Sequence, residues 1–196
     1  VFNEDGIDAD FRVESDGNAN MLFVDGGNDA VGIGTSTIDN NATLHIEDSA
    51  YPVINLDRSS ISSDGNHIGY INFQNNGDIY GYIGAWVEDI SETDGELRFA
   101  TQKGTSLTDK MVIKSDGNVG IGTGSPGSYD NYADNLVVYE AGHAGITIAT
   151  NSTNHTSIYF ADGTSGAAAY AGYIDYDHND DSLVLGAGGA ARFEIA

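Results

Sequence analysis

The pentapeptide Val31-Gly32-Ile33-Gly34-Thr35 occurs a second time, unchanged, as Val119-Gly120-Ile121-Gly122-Thr123. The two copies start 88 positions apart (119 − 31), and the stretches around them match in order. Self-similarity at a long, fixed spacing is the sequence signature of a repeat architecture. The chain is therefore predicted to be a tandem array of β-rich units, an organisation typical of structural and binding proteins.

The matching extends on both sides of the pentapeptide. An alternating strand and an S-D-G-N turn precede each copy, at 11–18 and 111–118, and a polar loop with a further strand follows it. These matches divide the chain into three segments: 1–35, the end of a preceding unit; 36–123, a complete unit; and 124–196, a second, truncated unit. The other matched stretches are 44–46 with 136–138, 53–56 with 145–148, 71–73 with 158–160, 81–83 with 172–174, 97–99 with 183–185, and 111–113 with 193–195.

The local pattern favours short antiparallel strands. Apolar and polar residues alternate over short stretches that Asp-Gly, Asn-Gly or Gly-Gly pairs separate, which is the form of hairpins and meanders. The chain has 26 glycines and only two prolines, a composition that suits many tight turns. We therefore predict an all-β fold in which only 105–111 and 130–139 hold a short helical turn.

The pentapeptide alternates β-branched residues with glycine, which places bulky side chains on one face of a strand and bare backbone on the other. The bare face permits close approach by another strand or by another copy of the chain. A phosphate-binding loop is disfavoured because the Gly-x-x-x-x-Gly-Lys pattern and a following helix are missing. Core packing is predicted for Val31, Ile33, Val119 and Ile121, and close backbone contact for Gly32, Gly34, Gly120 and Gly122.

Strand edges predict assembly. A short meander leaves N–H and C=O groups unpaired along its edges, and a linear array adds exposed ends. Three chains wound about one axis would cover these edges and bury the glycine-lined face, so we expect an elongated homotrimer. Its formal charge would be −69, three times the −23 of one chain, which requires outward-facing or screened acids.

The composition excludes several functions. Thirty acidic residues against seven basic ones argue against nucleic-acid and anionic-membrane partners, because both require a basic surface. The absence of cysteine excludes disulfides and thiolate metal sites. No apolar stretch approaches the roughly 20 residues that cross a bilayer, so membrane insertion is not expected. The N-terminus lacks a signal-peptide pattern, and both ends fall inside a repeat, as expected of a fragment.

The stretch S-D-G-N-V-G-I-G-T at 115–123, followed by Gly124-Ser125-Pro126 and the strand at 136–138, resembles the repeats of bacteriophage tail fibres and related virion appendage proteins. The stretch 11–25 is similar to sequences in such proteins. The resemblance implies an extracellular, trimeric shaft that positions elements binding a host-surface glycan or protein. Bacterial extracellular filaments and surface adhesins built from similar repeats are the alternative, and a glycan-depolymerising tailspike is less favoured.

Catalytic motifs are not recognisable. The five histidines lack the H-E-x-x-H spacing, and no serine lies in a G-x-S-x-G turn. The protein is therefore predicted not to be an enzyme, with no catalytic residues and no cofactor apart from a candidate calcium ion.

Calcium is the candidate metal, because hard cations prefer several carboxylate and carbonyl oxygens held by tight turns. Two Asp-rich loops fit this chemistry, 25–29 and 175–181, although neither matches the twelve-residue calcium loop. The same residues also suit ordinary turns. The candidate ligands are Asp25, Asp29, Asp175, Asp177 and Asp181.

Aromatic residues mark a candidate glycan contact. They cluster at matching places in the two units, and flat aromatic faces beside Asp and Asn suit sugars. Repeated aromatics at strand spacing also form core or cross-strand ladders, which is the competing interpretation. The candidate contacts are Tyr80, Tyr82, Trp86, Tyr173 and Tyr176.

Overall fold

A computed structural model describes residues 9–39 and 41–195. The protein is all-β, with 45% of its residues in strands and 4% in helix, which confirms the predicted fold class. Two short 3-10 helices, Pro126–Ser128 and Gly166–Tyr170, are the helical elements of the described residues. The helical turn predicted at 105–111 is wrong, because 106–111 belong to a strand and cross-strand pairing outweighs weak local preferences. The stretch 130–139 contains no helix either: a turn in which Ala133 donates its N–H to the Asp130 carbonyl at 2.9 Å precedes the strand at 136–138.

The chain divides into two units, 1–59 and 60–196. Residues 1–8, which open the first predicted segment, lie outside the described residues. The first unit contains a four-stranded sheet, the N-terminal sheet, whose strands are adjacent in chain order. Its strands are β1 (Phe11–Val13), β2 (Leu22–Asp25), β3 (Ala30–Ile33) and β4 (Leu44–Ile46).

The second unit contains two sheets, both meanders in which chain neighbours are also sheet neighbours. The middle sheet has the order β10-β9-β8-β7-β6-β5, and the C-terminal sheet the order β11-β12-β13-β14. The middle sheet comprises β5 (His67–Asn75), β6 (Asp78–Asp89), β7 (Asp94–Lys103), β8 (Ser106–Ile113), β9 (Val119–Ile121) and β10 (Leu136–Val138). The C-terminal sheet comprises β11 (His155–Phe160), β12 (Gly172–Asp177), β13 (Ser182–Ala187) and β14 (Ala190–Ile195).

Most strand pairs are antiparallel, as predicted, but two are parallel. The strand of each pentapeptide, β3 or β9, pairs in parallel with the next strand, β4 or β10. The prediction was wrong at these two pairs, because parallel pairing needs a longer crossover than a hairpin, and the polar loops at 34–43 and 122–135 supply it. Both pairs also span the predicted segment boundaries at 35/36 and 123/124, and the division into segments stays a prediction.

Two predicted strands are not paired. Residues 53–56 and 145–148 belong to no sheet of the described chain, although both alternate or cluster apolar residues. Their large side chains face solvent, and Ile54 and Ile146 are 65% and 71% exposed. An apolar pattern therefore predicts a strand correctly only where the described chain also supplies a neighbouring strand for it to pair with.

Candidate assembly faces and aromatic pocket

The two pentapeptides adopt the same local structure. Val31 donates its N–H to the Thr43 carbonyl, and Val119 donates to the Asn135 carbonyl, both at 2.9 Å. At the other end of each short strand, the carbonyls of Ile33 and Ile121 accept hydrogen bonds from Glu47 and Tyr139 at 2.9 and 2.8 Å. The same two backbone hydrogen bonds therefore flank the parallel strand pair at both pentapeptides.

The glycines of the pentapeptides contact backbone of their own chain. A Cβ at Gly32 or Gly120 would lie 2.2 or 2.3 Å from the carbonyl oxygen of the threonine three residues later. A Cβ at Gly34 or Gly122 would lie 2.0 or 2.1 Å from the carbonyl oxygen of the residue after the parallel strand. The groups that approach the four glycines belong to the same chain: the first residues of the crossover face Gly32 and Gly120, and the residue after the parallel strand faces Gly34 and Gly122.

One face of the middle sheet is apolar from edge to edge. Directly opposed residues on paired strands share a face, and one row of apolar residues crosses all six strands. Its side chains remain accessible, with Ile71 55% and Ile121 41% exposed. The row consists of Ile71, Ile83, Phe99, Met111, Ile121 and Val138, and the adjacent row of the same face adds Leu97, Ile113, Val119 and Leu136.

The other two sheets repeat this arrangement. In the C-terminal sheet the matching row lies on the residues that the sequence comparison aligned with the middle sheet, and Phe193 is 55% exposed. In the N-terminal sheet Val31 and Ile33 lie on the apolar face, and Ile33 is 39% exposed. The C-terminal row consists of Ile158, Ile174, Leu185 and Phe193, and the main N-terminal row of Phe11, Val24, Val31 and Leu44.

We call the apolar face of each sheet its assembly face, after the association that the sequence predicts. Val31, Ile33, Val119 and Ile121 were predicted to pack in a core, and the structure places all four on assembly faces. The crossover after each pentapeptide begins on the opposite face, because the threonine carbonyl lies over the glycine side of the strand. The start of each crossover therefore lies on the face opposite the assembly face.

The opposite face of the middle sheet carries an aromatic cluster. The Tyr82 ring lies 5.4 Å from the Trp86 ring and 5.9 Å from that of Tyr70, and His67 lies 5.3 Å from Tyr70. Of the predicted glycan contacts, Tyr82 and Trp86 are thus brought together. Tyr80 lies outside the cluster, at the bulge where the β5–β6 register shifts.

Charged side chains cover the solvent-facing side of this aromatic cluster. The Arg98 guanidinium lies 4.9 Å from the Trp86 ring centre, binds Glu96, and donates to Asp109 at 3.0 Å. Tyr82 donates its hydroxyl to the same Asp109. Partial burial, followed by this hydrogen bond and the carboxylate's charge, raises the pKa of Tyr82 to about 12. The aromatic surface of the middle sheet is therefore already occupied by a side chain of its own.

The corresponding face of the C-terminal sheet is open. A pocket of about 470 Å³ is lined by His155, Tyr159, Tyr170, Tyr173 and Asp175; we call it the tyrosine pocket. Tyr173 was predicted as a glycan contact, whereas sequence reasoning did not single out Tyr159 or His155. Tyr176 points to the other face, where its hydroxyl donates to Asp181 at 3.0 Å. The three-residue spacing between 173 and 176 could have indicated this separation, because side chains alternate along a strand.

His155 bridges two carboxylates at one end of the tyrosine pocket. Its Nδ1 lies 2.8 Å from Asp175 Oδ2, and its Nε2 lies 3.4 Å from Asp177 Oδ2. The hydrogen bond with Asp175, together with the charges of Asp177, Asp175 and Asp180, raises the pKa of His155, although desolvation opposes this shift. The pKa of Asp175 is lowered: burial opposes the shift, and hydrogen bonds from Ser157 and His155 outweigh it.

We expect His155 to titrate above its ordinary pKa of about 6.5. Because the folded pKa is raised, the pair stabilises the fold fully below the unfolded value and loses this contribution as the pH rises through the folded one. NMR titration of the imidazole checks the value, and Asp175→Asn should lower it by removing the main cause. An unchanged His155 pKa in Asp175→Asn would contradict the assigned pairing.

The predicted calcium ligands serve as turn and side-chain acceptors. Asp25 accepts hydrogen bonds from the Gly27 and Asn28 amides at 3.0 and 2.9 Å, and the side-chain bond from Asn28 is the main cause that lowers its pKa. Asp29 and Asp181 have positive φ angles of 52° and 59°, as turn residues do.

The second loop is divided between the two faces of its sheet, with Asp175 and Asp177 beside His155 and Asp181 beside Tyr176. Within the described residues, no group of three or more His, Asp and Glu side chains is arranged to hold a metal ion. The calcium site therefore stays a prediction.

Comparison with known proteins adds no family assignment. No protein-family model matches the chain, and no curated protein matches it. Across residues 9–39 and 41–195, no helix has both the length and the apolar character needed to span a membrane.

Proposed function

We propose that this chain is a non-enzymatic structural segment of a bacteriophage tail fibre or similar virion appendage, and that it works as a homotrimer. The observation that carries the proposal is the assembly face of each sheet, which is apolar and accessible in the single chain. Such faces mark protein interaction sites when they are contiguous. A second and third copy of the same chain supply matching apolar faces without requiring a different partner.

The exposed area supports this interpretation. The chain exposes 14038 Å² of surface, whereas the size scaling gives roughly 8,900 Å² for a folded monomer of 20.6 kDa. Among the described residues, the buried hydrophobic side chains are Ala30, Val87, Ala100, Val112 and Val137. These small residues bury little area in total, so most of the hydrophobic free energy becomes available only on association.

The unpaired stretches at 53–56 and 145–148 fit the same proposal. They present apolar side chains and lack a strand partner within the described chain. In a trimer they extend the buried surface or add a strand to a sheet of a neighbouring copy, a mode in which backbone hydrogen bonds supply affinity. Both stretches follow a parallel strand pair, so each unit contributes one such segment.

The function follows from trimer geometry. Three equivalent chains give a shaft segment that holds receptor-binding elements at fixed spacing, and multivalent attachment converts weak contacts with a host-surface glycan or protein into durable ones. The assembly faces turn inward, and the acidic turns stay in solvent, where counterions screen the −69 charges of three chains.

The absolute mass in solution tests the proposal. Light scattering on the purified chain should give about 62 kDa, three times 20.6 kDa, at physiological salt. Lower ionic strength should weaken the assembly, because unscreened carboxylates repel. A monodisperse species of 20.6 kDa at micromolar concentration would refute the trimer, and a continuously growing mass would indicate open-ended polymerisation instead.

A further inference from the structure

The tyrosine pocket has an aromatic wall and a polar wall. The Tyr159 ring lies 6.3 Å from the Tyr170 ring and 6.2 Å from that of Tyr173, tilted by 49° and 79°. Tyr173 is held in place because its ring lies against Gly186, where an added Cβ would approach within 2.0 Å. Tyr159 is 59% exposed, so its ring is available to a ligand.

The polar wall is assembled by side-chain hydrogen bonds. Asp175 accepts from the Ser157 hydroxyl, and His155 lies 2.8 Å from its other oxygen. Each carboxylate oxygen has two acceptor sites, so Asp175 keeps capacity for a ligand hydroxyl. The side chain of Asp175 is only 15% exposed, and its hydrogen bonds with Ser157 and His155 hold it in the pocket lining.

In the middle sheet, an arginine covers the aromatic surface that corresponds to the tyrosine pocket. Arg98 lies opposite Gly84 and covers the aromatic cluster there. At the matched position of the C-terminal sheet, Val184 lies opposite Asp175 and is too short to reach across the tyrosines. The open pocket therefore accompanies several differences between the matched strands: Val184 stands in place of Arg98, Asp175 in place of Gly84 and Asp177 in place of Trp86.

We propose that the tyrosine pocket binds a neutral pyranose sugar. The apolar face of a pyranose stacks on an aromatic ring, and its hydroxyls donate to Asp175 and contact His155. The volume of about 470 Å³ falls within the range of small-molecule sites.

Charge decides between sugar classes. Asp175, Asp177 and the nearby Asp180 repel sialic and uronic acids, as does the net charge of −23. A quaternary ammonium ion is less well matched, because the His155 ring already lies 2.8 Å from Asp175 and 3.4 Å from Asp177 and occupies the space beside both carboxylates. An uncharged sugar avoids both penalties.

The pocket stays accessible in the proposed assembly. Tyr159, Tyr173 and Asp175 lie opposite one another or on neighbouring positions of one face, and the apolar row with Ile158 and Ile174 lies on the other. Binding is a property of the single chain, so it does not require the trimer. A monomer that binds sugar would refute the assembly alone, and a trimer that binds none would refute the pocket alone.

Saturation-transfer NMR on the full chain tests the proposal. The probes are the methyl glycosides of glucose, galactose, mannose and N-acetylglucosamine, with glucuronic acid, N-acetylneuraminic acid and choline as charged comparisons. We expect at least one neutral glycoside to bind and the acids not to bind. Tyr159→Ala should weaken binding about tenfold through loss of stacking, whereas Tyr132→Ala, at a side chain 94% exposed outside the pocket, should leave it unchanged.

A second variant uses the middle sheet as its template. Val184→Arg should abolish binding by placing a guanidinium over the tyrosines, as Arg98 does over Trp86, and circular dichroism should show the sheet intact. The proposal is overturned if no neutral glycoside binds, if both Tyr159→Ala and Val184→Arg bind as the parent chain does, or if choline binds more tightly than every sugar.

Discussion

Ile83→Asp is expected to reduce the solution mass of this protein from about 62 kDa, the mass of the proposed trimer, to the 20.6 kDa of one chain. Ile83 lies in the middle of the apolar row, between Ile71 and Phe99, and is 37% exposed in the single chain. Assembly would bury the new carboxylate away from any partner cation, at a cost of several kcal/mol for each chain. Light scattering at one protein concentration measures the effect.

Ile90→Asp is the matched control for this experiment. Ile90 is 43% exposed, which is close to the exposure of Ile83, but it lies in the turn between β6 and β7 and on no sheet face. It should therefore retain the assembled mass. If both variants keep the assembled mass, the apolar face does not mediate association; if both dissociate, the added charge alone is responsible.

Gly122→Ala is expected to destabilise the chain by about 3 kcal/mol or more. Gly122 has a φ of 77°, and a Cβ would lie 2.1 Å from the Tyr139 carbonyl oxygen. That carbonyl belongs to backbone that leaves the parallel strand β10, so relief of the clash requires the β9–β10 pair to separate. Urea denaturation at one fixed protein concentration measures the loss in the free energy of unfolding.

Substitutions at two other glycines separate the cost of the positive φ angle from the cost of the steric clash. Gly117 has a φ of 90° but no atom within 4 Å of an added Cβ, so Gly117→Ala should cost only about 1 kcal/mol of conformational strain. Gly124 has neither feature, and Gly124→Ala should change stability by less than about 0.5 kcal/mol. Equal losses for Gly122→Ala and Gly117→Ala would show that the close backbone approach carries no energetic weight.

The two experiments address different roles of one pentapeptide. Ile121 points to the assembly face, whereas Gly120 admits the start of the crossover connection and Gly122 admits the backbone that leaves β10. The glycines were expected to allow approach by another strand or another copy, and a carbonyl of the same chain takes that place. A glycine substitution therefore acts on folding before it acts on assembly.

The spacing of the aromatic residues along the chain predicts only some of their contacts. Tyr82 and Trp86 are four residues apart, which places them on one face of a strand, and the structure brings their rings together. Tyr80 shares that parity but lies at a bulge, a feature without a clear sequence signal here. Tyr159 joins Tyr173 only because β11 pairs with β12 in one particular register.

The all-β fold, the position of most strands and the alternation of apolar side chains along them can be predicted from the chain alone. These depend on alternation and turn chemistry, which act over a few residues and leave a direct pattern in the chain. The two parallel pairs, the apolar rows across each sheet, the carbonyl that faces each glycine and the open pocket beside Tyr159 depend on the folded arrangement. Each of these features depends on which distant strand lies alongside and in which register the two strands pair. Register is set by the summed interactions of whole strands, so a short stretch of residues does not reveal it.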